Sequence, residues 1–454
     1  MITSFDGLIL LCYDSLCNVY DTRGKTPFDP HIICISFSIV GDKRGHMLAA
    51  LIPLFNADME VHGYCVFAQR ENFLLNSLHS GSLQYDNASA IEGFDIIENV
   101  GISTLADDRD IFVPINHVAL FSDLSVQCKA PPERIVLILD SKITPDEMYV
   151  NRIHTLKEQG YRIAMQRLPL KRLGDYRDIL LLADYMLFDP HRLNMQKAKQ
   201  LFDRIFPNLK LCAIRVDSRS EFEALAYWGD FHYYQGSFFR IPATQSDGEL
   251  SPLKTTYMEL LKVVNEEDYD LITAADVISQ DTALVLSLLA IVNRMTLNYG
   301  ITSVRHAAAM LGQTELKRWI NTAITKELCS DKPSEITRLS LIRARFCENL
   351  APVFGFGSMS DECFLMGLFS VLDIMLDRPI DEALSGIKVS DTIYNALVNN
   401  TGDFAPMYHF LLEYENASWQ EVSRMLILHK LDMDAVYEAY LGSLRWYRDL
   451  ISVA

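Results

Sequence analysis

An α/β barrel followed by an all-α domain is the fold class that this 454-residue chain predicts. Three observations carry the expectation. From 47 to 245, short apolar strands alternate with amphipathic helices, an order that implies parallel strands. About eight such strands suit a closed (β/α) barrel, with a first hairpin that reads as antiparallel. From 253 to 454 apolar residues recur at spacings of three and four and strand signals vanish, which is the pattern of packed helices. The polar, turn-rich stretch 242–252 (PATQSDGELSP) lies between the two, with the linker proper at 246–252. An open doubly wound sheet is the alternative for the first half, but no GxGxxG follows a strand there.

Taken in order, the strands are expected at 50–55, 63–69, 111–115, 134–139, 162–165, 185–188, 210–216 and 233–239. Each is a short run rich in branched, aromatic or small apolar residues, bounded by polar turns. The helices between them are expected at 88–100, 144–159, 174–183, 194–205 and 220–227. The helical half reads as 253–264, 272–278, 282–294, 304–311, 314–328, 333–352, 361–376, 391–399, 405–414, 418–428 and 434–451. Start signals support several of these: Ser303 before Val304, Thr314 before Glu315, and Ser418 with Glu421 three residues later. Residues 1–46 show no clear period and do not match the rest of the chain, whereas Met47 opens a clean strand-like run, MLAALIPLF. Two accounts stand open: an N-terminal extension, or a stretch upstream of the natural start at Met47. A peptide from 1–46 in mass spectra of the natively expressed protein decides between them.

Composition excludes several function classes. The net charge is −18, from 59 acidic and 41 basic residues, which disfavours a general nucleic-acid or anionic-membrane binder because both need a positive face. A local basic pocket for a small anion remains compatible with it. No apolar run reaches the ~20 residues that span a bilayer, and no basic n-region opens the chain as in a signal peptide. The nine cysteines are scattered without a CxxC, as expected of free thiols in a reducing cytoplasm.

Longer motifs point to a family. Residues 233–242 read YYQGSFFRIP, which resembles the last barrel strand of EAL domains, the cyclic di-GMP phosphodiesterase fold, with its QGxxF…P signature. The helical half resembles an HDOD domain through ISQDTALVLSLLAIVNR (278–294), GITSVRHAAAMLGQTELKRWI (300–320) and LSLIRARFCENLA (339–351). The tandem covers 47 to about 430 and implies a bacterial signal-transduction protein, EAL-like barrel first and HDOD-like helical domain second.

The resemblance also implies where chemistry would sit. EAL hydrolysis needs two hard cations, Mg²⁺ or Mn²⁺, held by carboxylates and a carbonyl oxygen at strand ends. Residue by residue, the metal-binding Glu of the namesake motif falls on Val66, the next Glu on Leu137, and the paired Asp-Asp on Gln166 and Arg167. The Lys near the attacking water falls on Leu187 and the late Glu on Ile214. Only Asn116 and Asp189 remain as retained ligand positions. Apolar side chains cannot offset the desolvation of a cation, and Arg167 puts a fixed positive charge in its place. No catalytic residue and no metal is therefore expected; Mg²⁺ or Mn²⁺ would matter only to an unexpectedly active enzyme. Arg70, Arg167 and Gln235 are the candidates for contacting a nucleotide phosphate. Against that, Arg167 is expected to pair with Asp189 and fill the barrel top. In the helical half the His-Asp dipeptide of HD hydrolases falls on Ser370 and Val371, so metal hydrolysis is not expected there. Lys317, Arg318, Arg343 and Arg345 form a modest basic face, and Trp319, Trp419 and Trp446 are core or interface candidates.

The expected function is that of a cytoplasmic, non-catalytic regulator or scaffold with protein partners on its HDOD-like domain. The alternatives are a catalytically inactive sensor that still binds cyclic di-GMP and, behind it, an active phosphodiesterase. Fold-level analogy alone does not choose among them.

Overall fold

The computed structural model describes residues 47–70, 91–168, 170–192, 195–227, 231–240, 250–266, 269–295 and 303–453. Residues 1–46, the start of the first expected helix and 246–249 of the linker lie outside them.

Eight strands close a barrel in chain order: β1 (Met47–Phe55), β2 (Val61–Arg70), β3 (Asp110–Pro114), β4 (Ile135–Asp140), β5 (Arg162–Gln166), β6 (Tyr185–Phe188), β7 (Lys210–Ile214) and β8 (Tyr233–Gln235). β1 runs antiparallel to both neighbours and all other pairs are parallel. The antiparallel first hairpin is thus as the sequence predicts. Strand side chains alternate between two apolar layers, as the two-residue period requires. Cys65, Phe112, Val136, Ile138, Ala164, Leu187 and Cys212 fill the lumen, while Val66, Val113, Leu137, Met165 and Ala213 pack in the outer layer.

The barrel helices are α1 (Glu92–Val100), α2 (Ile102–Ala106), α3 (Leu124–Gln127), α4 (Glu147–Glu158), α5 (Arg177–Leu182), α6 (Met195–Ile205) and α7 (Arg219–Tyr227). α4 begins later than the pattern suggests because Asp146 caps it, accepting from the Tyr149 amide at 3.1 Å. Beyond the linker come α8 (Pro252–Val264), α9 (Leu271–Ile278), α10 (Thr282–Met295), α11 (Val304–Leu328), α12 (Ser334–Leu350), α13 (Ser360–Phe369), α14 (Leu372–Leu376), α15 (Ile380–Ser385), α16 (Asp391–Tyr394), α17 (Ala405–Glu415), α18 (Trp419–Leu428) and α19 (Met433–Val453).

Two local expectations change. They do not include the two helices expected at 304–311 and 314–328, which are present as the two halves of α11, separated by a non-helical break at Gly312 (φ 76°). Ser418 stands at the N-cap of α18 but makes no side-chain cap, and Glu421 is bound by Arg424. The single helix expected at 361–376 is divided at Ser370 and Val371 into α13 and α14. Just before that division, α13 lies so close to α12 that a Cβ on Gly367 would stand 2.3 Å from the Arg343 carbonyl oxygen. Only glycine allows the two helix backbones to approach this far.

Barrel and helical region belong to one compact unit. β1 meets β8 only at Leu54 and Phe55, which leaves amide groups in its first half without a strand partner. The helical region supplies partners: the Ala49 amide donates to the Tyr414 hydroxyl and the Leu51 amide to the Tyr440 hydroxyl, each at 3.3 Å. Tyr64 donates to Glu335 at 2.7 Å, Arg338 lies 4.4 Å over the Tyr64 ring, and Gln69 donates to Ser423 at 3.1 Å. Part of the helical region therefore covers an otherwise open barrel edge.

Candidate functional site

The strand order gives the barrel two ends, and their chemistry differs. At the N-terminal end the lumen is plugged. His62 stacks on Tyr233 with centroids 3.9 Å apart, lies 3.6 Å from Asp110 and contacts the Tyr185 hydroxyl at 3.3 Å. Arg162 pairs with Asp110, and Lys210 sits over the Tyr185 ring at 5.4 Å. Burial drives the His62 imidazole down to about 4; Asp110 opposes the shift, and Lys210, Arg162 and Arg109 add to it. The folded pKa lies below the unfolded value near 6.5, so the unfolded chain takes up the extra proton. Stability is expected to be full above that value and to fall as pH drops through the window toward 4. After allowance for partial solvent screening, the loss between pH 7.5 and 5 amounts to about 1 kcal/mol. Urea unfolding at the two pH values measures it, and His62→Gln should flatten the difference.

At the C-terminal end, where barrel sites are built from strand ends and their loops, a cavity of about 760 Å³ opens. Phe67, Ile138, Gln166, Leu187 and Ile214 line it from the lumen, with Asn116, Asp140 and Gln235 around the rim. Lys142, Arg167 and Arg215 add three cationic side chains to the lining, and Glu92 adds a second carboxylate beside Asp140. Arg167 (φ 57°) and Arg215 (φ 59°) each take a left-handed backbone just after a strand, a conformation uncommon for long side chains.

Several expectations are corrected by this geometry. Leu137 faces the outer layer, so Ile138 is the lumen-facing neighbour, and Val66 packs in the outer layer while still lining the cavity beside Cys65. A shift of one residue in a strand moves a side chain to the opposite face. Gln166, Leu187 and Ile214 do line the cavity. Arg167 does not pair with Asp189. Asp189 is held by Arg215 at 2.9 Å and Arg192 at 3.2 Å, and it accepts from the His191 amide at 3.0 Å. Arg70 is not among the cavity-lining residues; it pairs with Asp95 on α1. Glu92, beside it, has its carboxyl raised by burial, an effect that Arg70 offsets in part. Asn116 uses its side-chain oxygen to accept from the Val118 and Ala119 amides at 2.9 and 2.8 Å. Gln235 accepts from the Arg215 amide at 3.2 Å and so helps hold the turn that presents that arginine.

These donors do not fit a pair of hard cations. The strand positions that line the cavity are a thiol, carboxamides, apolar groups and one carboxylate, Asp140, too few hard oxygen donors for two cations, and burial pushes the Cys65 thiol up, away from the thiolate a metal would bind. Among the described residues, no cluster of three or more His, Cys, Asp or Glu is arranged to hold a metal ion. An anion suits the three cations better.

The helical half carries a second polar centre. Ser370 donates to the Gly367 carbonyl at 2.7 Å and accepts from Arg343 Nη1 at 3.0 Å; Val371 is buried. Arg343 makes a two-pronged contact with Glu415, Nε to Oε1 at 2.9 Å and Nη2 to Oε2 at 2.8 Å. Arg240, which follows the barrel's last strand, reaches the same carboxylate at 2.8 Å and Asn416 at 2.8 Å. Arg343 is thus in the interior and not on the basic face that the sequence suggests, whereas Arg318 and Arg345 share Glu348. Sequence reasoning also missed Lys142 and Arg215. The wall formed by Asn416, Ala417 and Trp419 comes from the helical region, and only Trp419 was marked by its residue type.

The HDOD domain family matches residues 250–376. Over 413 residues the chain is 28% identical to the uncharacterized protein YuxH of Bacillus subtilis, covering 88% of this chain and 97% of the relative. It is 27% identical over 406 residues to the cyclic di-GMP phosphodiesterase CdgJ of Vibrio cholerae, covering 88% and 91%. Among solved structures, a standalone EAL protein of Vibrio cholerae O395 in its c-di-GMP-bound form aligns at 16% identity and TM-score 0.34, covering 43% of this chain and 92% of that one. The EAL domain of Mycobacterium smegmatis DcpA aligns at 15% identity and TM-score 0.32, covering 42% and 90%. The chain joins an EAL-like closed barrel to an HDOD domain, the architecture of bacterial signal-transduction proteins.

Proposed function

We propose that the protein is a non-catalytic signalling regulator whose barrel binds a phosphate-bearing ligand without cleaving it, and whose HDOD domain contacts protein partners in the cytoplasm. The observation that supports it is the exchange of character at the barrel mouth. The strand ends bring a single carboxylate to the cavity, Asp140, and the first barrel helix brings Glu92, against the three cations Lys142, Arg167 and Arg215. Guanidinium and ammonium groups suit ground-state binding of an anion. Cyclic di-GMP is the first ligand to test, since the relatives include one named as its phosphodiesterase. In keeping with action in the cytoplasm, no helix among the described residues is long and apolar enough to cross a membrane.

Calorimetric titration with cyclic di-GMP, followed by product analysis of the same sample with Mg²⁺ or Mn²⁺, tests the reading. The expected result is binding that weakens by about tenfold in the Arg167→Ala, Arg215→Ala double variant, with no linear product. Absence of binding would leave the pure scaffold reading, with a partner recovered by the HDOD domain alone. Linear dinucleotide lost in Asn116→Ala would establish a phosphodiesterase.

A further inference from the structure

We infer that the barrel's ligand site is composite, with the turn between α17 and α18 of the helical region as one of its walls. The inference rests on the proposed binding of a phosphate-bearing ligand at the barrel mouth. Asn416, Ala417 and Trp419 line the same cavity as Arg167, Arg215 and Gln235, although some 180 residues of chain separate Gln235 from them. The turn is fixed on three sides. Asn416 accepts from Arg240, Glu415 is buried between Arg240 and Arg343, and Trp419 packs edge-on against the buried Tyr414 ring at 5.5 Å. Ala417 is held in a left-handed conformation (φ 52°), and its carbonyl accepts from the Trp419 amide at 2.8 Å.

The chemistry of the two walls is complementary. The barrel wall brings the cations Lys142, Arg167 and Arg215 with the carboxylates Glu92 and Asp140, and the helical wall brings a half-buried indole, a carboxamide and a small residue, none of them charged. An occupant with an anionic phosphodiester and a flat ring, a nucleotide of the cyclic dinucleotide class, meets both: phosphate toward Arg167 and Arg215, base toward Trp419. The residue next to this wall, Glu415, is the shared acceptor of the buried arginines, one of which reaches Ser370. Ligand seated against the turn therefore bears on the interior of the HDOD domain through direct contacts.

Ala417 offers a test that leaves the core untouched. Asp and Asn both tolerate a left-handed backbone and differ from one another by one charge. In calorimetric titrations of the full chain with cyclic di-GMP, Ala417→Asp is expected to weaken binding about tenfold by placing a carboxylate opposite the phosphate, and Ala417→Asn to stay within about twofold. Trp419→Ala should weaken it by about fivefold or more and Trp419→Phe much less, with thermal midpoints recorded to exclude unfolding. Binding that is equal in wild type, Ala417→Asp and Trp419→Ala overturns the composite wall and leaves the barrel's own binding intact. Equal weakening by Ala417→Asp and Ala417→Asn overturns the facing of phosphate and wall. No binding of cyclic di-GMP to the wild type overturns both this inference and the proposed ligand.

Discussion

Glu415→Ala is expected to lower the stability of the whole unit by about 3–5 kcal/mol, because it strands two buried guanidinium groups without their shared counter-ion. Side-chain exposures of 11% for Arg240, 4% for Arg343 and 10% for Glu415 leave little room for water to replace the carboxylate. Glu415→Gln keeps shape and some hydrogen bonding and should fall between that variant and wild type. Replacing all three residues by apolar side chains of similar volume is expected to recover much of the loss, since the desolvation of three ions is removed together with their attraction. The location of the triad makes the effect reach across the fold. Arg240 closes the barrel sequence, Arg343 lies on α12, and Tyr414, next to Glu415, accepts from the β1 amide of Ala49. Hydrogen exchange should therefore show faster exchange at both Ala49 and the Ser370 break in Glu415→Ala. Unfolding free energies within about 1 kcal/mol of wild type would show that the triad is not a structural centre.

The architecture was legible in the sequence because it rests on local periods. The eight strands, the antiparallel first hairpin and the change to helices beyond 252 all come from apolar spacing that any window of about ten residues displays. Facing was less legible. At β2 and β4 nearly every residue is apolar, so the pattern does not say which neighbours point inward; Val66 and Cys65, or Leu137 and Ile138, exchange roles with a slip of one. At β5 the polar Gln166, placed by the resemblance at a lost ligand position, lines the cavity. The partners of ions were not legible at all. Arg167 and Asp189 were expected to meet because both belong to the barrel top, yet Arg215, displayed by its own left-handed turn, lies nearer to Asp189. The wall at Asn416–Trp419 and the triad around Glu415 join segments far apart in sequence, which no local period records.

The glycine in YYQGSFFRIP can be assigned a physical duty, and Gly236→Ala is expected to cost about 3 kcal/mol or more. A Cβ at Gly236 would stand 2.1 Å from the Val216 carbonyl oxygen, 2.6 Å from its nitrogen and 2.7 Å from its carbonyl carbon. These are backbone atoms, so no rotamer change relieves the overlap. They are also pinned from both sides: the Val216 amide donates to the Gln235 carbonyl at 3.1 Å, and its carbonyl accepts from the Phe238 amide at 3.2 Å. Moving β8 away from Val216 breaks these two bonds and loosens the Gln235 contact that holds the Arg215 amide. Stability and anion binding should thus decline together in Gly236→Ala. Gly174 is the control, for a Cβ there meets nothing within 4 Å, and Gly174→Ala should change stability by no more than about 0.5 kcal/mol. Urea denaturation of the three proteins, read beside titration with cyclic di-GMP, measures both effects; equal midpoints for Gly236→Ala and Gly174→Ala would remove the close approach of β8 to Val216 as the reason for glycine at this position.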